Sequence, residues 1–317
     1  MAPPPQLIAQ VGRPSLRPVS PAVRALADAL LARFGYAAQA ILFYGSCWRT
    51  GDDREGLVDL YLLVDSYRSA YHQSRQAFLN KLLPPNVFYL EVSCAGRIAR
   101  AKYAVLSLAD FQHGTSRRWF HSYLWARFAQ PAGLVYARNE QVARQVQAAL
   151  AQAVMTFIAR VLPRVPSPFT ARELWRQGLA LTYRAELRAE RPDKLGRLFD
   201  ATPKYYEQLT HAAIGAVPFP VEVVTRTAQV LYRARIPGRI RLSSRWIWWL
   251  RHLQGKLLSV LRLLKGLSTY QGGLEYVLWK IERHAQVKIE IPSRWRRYPL
   301  LGVCVVFWRL YRRGAFR

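Results

Sequence analysis

Ala40-Ile41-Leu42-Phe43-Tyr44-Gly45-Ser46 and, about a dozen residues later, Val58-Asp59-Leu60-Tyr61-Leu62-Leu63-Val64-Asp65 decide how this chain is read. Each is a short apolar run bounded by turn residues, the pattern of a buried strand. The first run ends in a Gly-Ser turn, and the second opens on an aspartate. Gly45 has no side chain to keep the backbone away from a phosphate, and Ser46 and the amides after it can donate to phosphate oxygens. Asp59 supplies a hard carboxylate oxygen of the kind Mg²⁺ takes. A strand, an anion-binding turn and a second strand carrying an acid predict a site for a magnesium-bound polyphosphate.

Outward from that pair, composition narrows the partners. The chain has 317 residues, with 47 Lys and Arg against 19 Asp and Glu, for a formal charge of +28. So basic a protein seeks polyanions: nucleotides, nucleic acid or anionic lipid. From Arg233 to Arg317 there are 19 basic and 3 acidic residues, and six of the ten tryptophans lie there. Indole rings beside Lys and Arg suit a lipid headgroup layer, so an anionic membrane surface is the expected partner ahead of nucleic acid. The longest apolar run, Leu300 to Trp308, is far short of the roughly 20 residues that cross a bilayer, and no transmembrane helix is expected. Cys47, Cys94 and Cys304 are scattered without metal-ligand spacing, which predicts a reducing compartment and no disulfide framework. Met1 to Pro21 is proline-rich and lacks an apolar core, so it reads as a disordered tail rather than a secretory signal, with a transit peptide as the alternative.

Periodicity places a helix over Pro21 to Phe34, strands over Ala40 to Tyr44 and Val58 to Val64, and a helix from Ser74 that stops before Pro84-Pro85. Val87 to Ser93 and Ala101 to Leu106 read as a strand pair around Ala95-Gly96. Helical spacing then dominates: Trp119 to Phe128, Asn139 to Val161, Ala171 to Ala189 and Pro203 to Ala213.

With these positions fixed, the chain resembles the mitochondrial-type, peripheral CDP-diacylglycerol synthases (phosphatidate cytidylyltransferases) of the nucleotidyltransferase superfamily. Tyr44-Gly45-Ser46 matches that family's tyrosine-glycine-serine turn, and Asp59 and Asp65 match its two spaced aspartates. Gly96 and Lys102-Tyr103-Ala104-Val105 resemble its glycine and its lysine-tyrosine-glycine-valine strand, with Ala104 replacing a glycine. Ala126-Arg127 with Gln130-Pro131 is similar to its glycine-arginine and lysine-proline pairs, the lysine being replaced by Gln130. Tyr183, Glu186 and Arg188, followed by Lys194, resemble its tyrosine, acid, arginine and lysine. Lys265-Gly266-Leu267 and the basic, aromatic sequel look like its membrane-associating tail.

The resemblance implies that CTP and phosphatidic acid become CDP-diacylglycerol and pyrophosphate, with Mg²⁺ as cofactor. It implies catalytic roles for Asp59, Asp65 and Lys102, and nucleotide contacts from Tyr44, Gly45, Ser46, Arg127, Tyr183, Glu186, Arg188 and Lys194. It also implies a peripheral membrane location, on the cytoplasmic face of a bacterial inner membrane or the matrix side of an organelle inner membrane. The second metal ligand stays open. A common nucleotidyltransferase pattern has an acid two residues after the first, where this chain has Tyr61. Asp65 shares a strand face with Asp59, but six residues of strand span roughly 20 Å. Glu91, in Phe88-Tyr89-Leu90-Glu91-Val92, is the candidate from a neighbouring strand. The resemblance favours Asp59 with Asp65; strand geometry favours Asp59 with Glu91.

The expected protein is α+β: a nucleotidyltransferase-type mixed sheet domain (21–135), a helical domain (136–232) and a basic amphipathic membrane-associating segment (233–317), after a disordered tail (1–20). The rival functions are nucleotidyl transfer to a nucleic-acid end or a small molecule, and non-catalytic lipid or RNA binding, which the missing acid at Tyr61 favours.

Overall fold

The computed structural model describes residues 2–53, 56–186, 198–226 and 229–269. Helix α1 (Pro5–Gly12) and a 3₁₀ turn (Arg13–Leu16) precede α2 (Pro21–Phe34), and Ser20 caps α2 by accepting from the Val23 amide. Then come β1 (Ala38–Tyr44), α3 (Gly45–Thr50), β2 (Val58–Val64), α4 (Tyr67–Ala70), α5 (Ser74–Leu82), β3 (Asn86–Cys94) and β4 (Arg97–Ser107). Helices α6 (Leu108–Thr115) and α7 (Tyr123–Phe128) lead to β5 (Gly133–Ala137), followed by α8 (Glu140–Val161), α9 (Ala171–Arg184) and α10 (Pro203–Ile214). A hairpin of β6 (Val221–Arg226) and β7 (Gln229–Ala234) precedes the long α11 (Gly238–Thr269).

The protein is α+β. One mixed sheet runs in the order β3-β4-β2-β1-β5, with β2 parallel to β4 and the other neighbours antiparallel. Alternation along β1 and β2 fills two cores. Ile41, Phe43, Leu60, Leu62 and Val64 pack with α2 on one face. Leu42, Tyr61 and Leu63 pack on the other against α1, α8, α9 and α10. Both faces of β2 are therefore covered, which is why Val58 to Val64 reads as a nearly continuous apolar run.

Four expectations change. Residues 2–20 are not a disordered tail: Leu7 and Val11, one helical turn apart, are buried in the main core, and Ser15 Oγ accepts from the Leu134 amide at 2.9 Å. The split between sheet and helical domains dissolves, because one continuous core joins sheet residues to α8, α9 and α10. The expected helix over Trp119 to Phe128 begins only at Tyr123, and Arg160 donates to the Arg117, Trp119 and Phe120 carbonyls of the irregular stretch before it. Residues 233–269 are no simple appendage: Trp248 and Arg251 of α11 are each only 2 % exposed. Separately, Glu140–Arg164 is long and apolar enough by composition to cross a membrane, but it is mostly buried inside the fold, as its alanine-rich helix packs at the centre. Leu300 to Trp308, like everything after residue 269, lies outside the described residues.

Candidate active site

The end of β1, the start of β2 and the middle of β4 bring three polar residues into one row. Tyr44 pairs with Asp59, Asp59 with Lys102, and Lys102 with Tyr89 of β3. Cross-strand partners share a sheet face, so all four side chains belong to the face that carries Tyr61. Lys102 Nζ lies 3.0 Å from Asp59 Oδ1. Burial alone would lower the Lys102 pKa, but the Asp59 carboxylate and the Tyr44 oxygen hold the ammonium above its ordinary range.

Gly45 follows Tyr44 at φ +89°, and a Cβ built on it would come 2.5 Å from Asp59 Oδ2. The Gly-Ser turn and the aspartate are thus in direct contact, as the sequence reading required. Ser46 is exposed on the first turn of α3, where its carbonyl accepts from Thr50 Oγ1 at 3.1 Å.

The helical layer closes the row from the other side. Arg127 of α7 donates to Tyr44 Oη at 3.1 Å and lies 3.6 Å from the Glu186 carboxylate. Its guanidinium also stands over the Tyr123 ring, 4.6 Å from the centroid. Tyr61 is fully buried, with its ring 5.3 Å from that of Tyr44 and 4.9 Å from that of Phe128, and its hydroxyl donates to Tyr123 Oη at 3.3 Å. The position where a second acid was sought is therefore an aromatic core position. Burial raises the Tyr44 pKa despite Arg127. For Tyr123, burial pushes the same way, but Arg127 and Arg262 outweigh it and hold the phenol below its usual value.

Of the residues named from sequence, Tyr44, Gly45, Asp59, Lys102, Arg127 and Glu186 converge here. Tyr183 is partly buried against the main core. Asp65 sits past the far end of β2, where it accepts from the Ser66 amide at 2.6 Å and from Ser69 Oγ. It anchors the entry to α4 and shares no site with Asp59. Glu91 lies two residues along β3 from the row and two strands away from Asp59, about 12 Å by sheet spacing. It accepts from Tyr89 Oη at 2.6 Å and from Arg100 at 2.9 Å. Arg188 and Lys194 lie outside the described residues. Among the described residues no group of three His, Cys, Asp or Glu side chains could hold a metal.

Sequence reasoning missed Tyr123 and Arg262. Arg262 of α11 lies 4.1 Å from the Tyr123 centroid, though 139 positions along the chain separate them. Nothing in the local pattern joins them; the basic bias after residue 233 is the one signal that touched Arg262.

No protein-family model matches the chain, and no curated protein does. Among solved structures, it is similar to a nucleotidyltransferase-like protein from Exiguobacterium sibiricum 255-15, at 10 % identity over 67 % of this chain and 99 % of that one, with a TM-score of 0.24. So loose a likeness adds no weight to the assignments made from the residues.

Proposed function

We propose that this protein is a Mg²⁺-dependent nucleotidyltransferase that transfers cytidylyl from CTP to phosphatidic acid at an anionic membrane surface. The close approach of Gly45 to the Asp59 carboxylate carries the proposal, because it sets a glycine turn able to bind an anion beside a hard oxygen ligand.

Among the described residues, the Asp59 carboxylate beside the Gly45 turn would hold Mg²⁺, with triphosphate oxygens supplying the other ligands. Magnesium sites commonly take one or two carboxylates plus substrate phosphates, so one suffices. When bound, the ion would draw off charge from the triphosphate oxygens. The remaining work falls to the protein. Gly45 and the amides after it seat the phosphates, and Lys102 fixes the Asp59 carboxylate and adds a positive charge beside it. Arg127, already anchored by Tyr44 and Glu186, supplies a second cation.

An oxygen of the lipid phosphomonoester forms a bond to the α-phosphorus of CTP while the bond to the bridging oxygen of pyrophosphate breaks and the electron pair leaves with it. A phosphomonoester has its second pKa near 6, so the nucleophile is largely ionised at neutral pH and needs no general base. Positioning and charge compensation are then the main catalytic contributions.

An inverted amphipathic helix supports a lipid acceptor over a nucleic-acid end. Along α11, Ser244, Trp248 and Arg251 face the protein, while Leu242, Trp246, Trp249, Leu250, Leu253 and Leu257 are exposed. Apolar side chains turned outward among Arg and Lys suit a headgroup interface. The basic, aromatic sequence expected to form the membrane-associating tail lies, after residue 269, outside the described residues.

The test is labelled CTP incubated with phosphatidic acid vesicles and Mg²⁺. Labelled CDP-diacylglycerol and pyrophosphate should form, and the Asp59→Ala variant should make almost none. Product from a nucleic-acid end, with none from phosphatidic acid, would overturn the lipid assignment.

A further inference from the structure

The long helix α11 does more than present an apolar stripe. Its early turns are pinned by Arg241 on the Val165 carbonyl (3.0 Å), Trp248 on Arg160 O (3.2 Å) and Arg251 on Phe120 O (2.8 Å). It then passes the C-terminal end of α9 at Gly255, where an added Cβ would collide with the Ala185 carbonyl. Beyond this crossing, Arg262 Nε donates to Pro84 O at 3.1 Å, and Lys265 Nζ donates to Pro85 O at 2.8 Å and to Leu83 O. The helix thus bridges from the helical layer to the loop before β3 and brings Arg262 to the edge of the site.

There, two guanidiniums share one ring. Arg127 and Arg262 stand 4.6 and 4.1 Å from the Tyr123 centroid, so they are about 9 Å apart at most. Like charges are not gathered so closely in a half-buried place without something to offset them. Glu186, 3.6 Å from Arg127, offsets part. Donors remain over: among the described residues, Arg127 Nε and Arg262 Nη1 are buried and meet no acceptor. His121, 2 % exposed and stacked on Tyr123 at 6.1 Å, also has an unpartnered Nε2. Buried donors are normally satisfied, and such a cluster suits an anionic acceptor. A phosphate fits, since its oxygens can accept from two forked guanidiniums at once.

We propose that Arg262 and Arg127 form a phosphate-binding site beside Tyr123, distinct from the Gly45 turn, and that it takes the phosphomonoester headgroup of the lipid acceptor. The inference rests on the nucleotidyltransferase reading for its choice of ligand. It makes the helix that faces the membrane also the helix that completes the acceptor site, so that lipid docking and headgroup capture involve one element.

The test is direct binding, by calorimetry, of monomeric dihexanoyl phosphatidic acid and, separately, of CTP with Mg²⁺. It compares the full chain with its Arg262→Gln and Arg262→Lys variants, each checked by thermal melting. Dihexanoyl phosphatidylmethanol, a phosphodiester with one fewer ionisable oxygen, serves as the second lipid. Arg262→Gln should weaken phosphatidic acid binding about tenfold or more, abolish the preference over phosphatidylmethanol, and leave CTP affinity within about twofold. Arg262→Lys, which keeps the charge without the fork, should fall between and keep the melting point. Unchanged phosphatidic acid affinity would make Arg262 a mere helix pin and overturn the proposal. Loss of CTP affinity instead would assign the pocket to the triphosphate and overturn it too, as would no phosphatidic acid binding by the unaltered protein. Arg262-dependent lipid binding without product in a parallel assay would sustain the site while removing the cytidylyl-transfer reading.

Discussion

The Asp59 carboxylate fills the space that a side chain on Gly45 would need: Oδ2 lies 2.5 Å from the position of a Cβ there. With φ at +89°, that backbone also suits glycine on conformational grounds. Turn and acid thus constrain each other.

Gly45→Ala should therefore displace Asp59 or the turn. Steric overpacking together with the unfavourable φ is expected to cost about 2 kcal/mol of stability. Under the proposed function, cytidylyl transfer should fall by at least about a hundredfold, since the proposed seat for the phosphates would move. Denaturant melts and product assays check the two halves; near-normal activity would separate the turn from the reaction.

Asp59→Asn should separate function from folding. The Asp59–Lys102 pair is partly exposed, with side chains 20 % and 37 % accessible, so its loss is worth about 1 kcal/mol or less. Turnover should drop by about a hundredfold or more. Lys102→Met should behave alike in direction. A melting point reduced by many degrees would instead mark the pair as structural.

Asp65→Ala and Glu91→Ala provide the contrast. Asp65 receives the Ser66 amide and the Ser69 hydroxyl, and Glu91 receives Tyr89 and Arg100. Both variants should keep activity within about threefold and lose about 1 kcal/mol or less. A hundredfold loss of turnover in Asp65→Ala would restore it as a site residue and require the strand to rearrange.

Stability should decline in mild acid through His121. Burial, then Arg262 and Arg251, depress its pKa from the ordinary 6.5 to about 3. The unfolded chain therefore takes up a proton first as the pH drops below 6.5, which favours unfolding, and the loss continues until the pH reaches about 3. Between pH 6.5 and 5 this amounts to roughly 2 kcal/mol at most. Thermal melts over that range should show a shallower decline for His121→Asn; an identical decline would assign the acid sensitivity elsewhere.

The exposed stripe of α11 should govern membrane attachment. Trp249 and Leu253 are 56 % and 58 % exposed, so the double change Trp249→Glu, Leu253→Glu should leave the melting point nearly unaltered. Burying two such side chains in a bilayer is worth several kcal/mol, so flotation with vesicles containing phosphatidic acid should fall by well over tenfold. Undiminished flotation would move the attachment to another surface.

Local sequence determined much of the scaffold. Helical spacing of apolar residues marked α2 and α8, short continuous apolar runs marked β1 and β2, and Pro84-Pro85 bounded α5, because these features depend on neighbours within a turn or a strand. The hairpin Val221–Arg226 with Gln229–Ala234 was missed, since its mixed polar and apolar residues carry no clean alternation. The opening helix was missed as well: the six prolines from Met1 to Pro21 and a short apolar set look like a tail until α8 and α10 supply a surface for Leu7 and Val11.

The site divides along the same line. Asp59 and the Gly45 turn were legible because adjoining strands of one motif bring them together. Whether another acid joins Asp59 is a question of register, and only the sheet decides it, setting Asp65 at the other end of a strand and Glu91 two strands away. The meeting of Arg262 with Arg127 over Tyr123 belongs entirely to the tertiary structure. Chain neighbours report propensity and periodicity, whereas a pocket is assembled by packing across long loops, for which a linear string holds no distance.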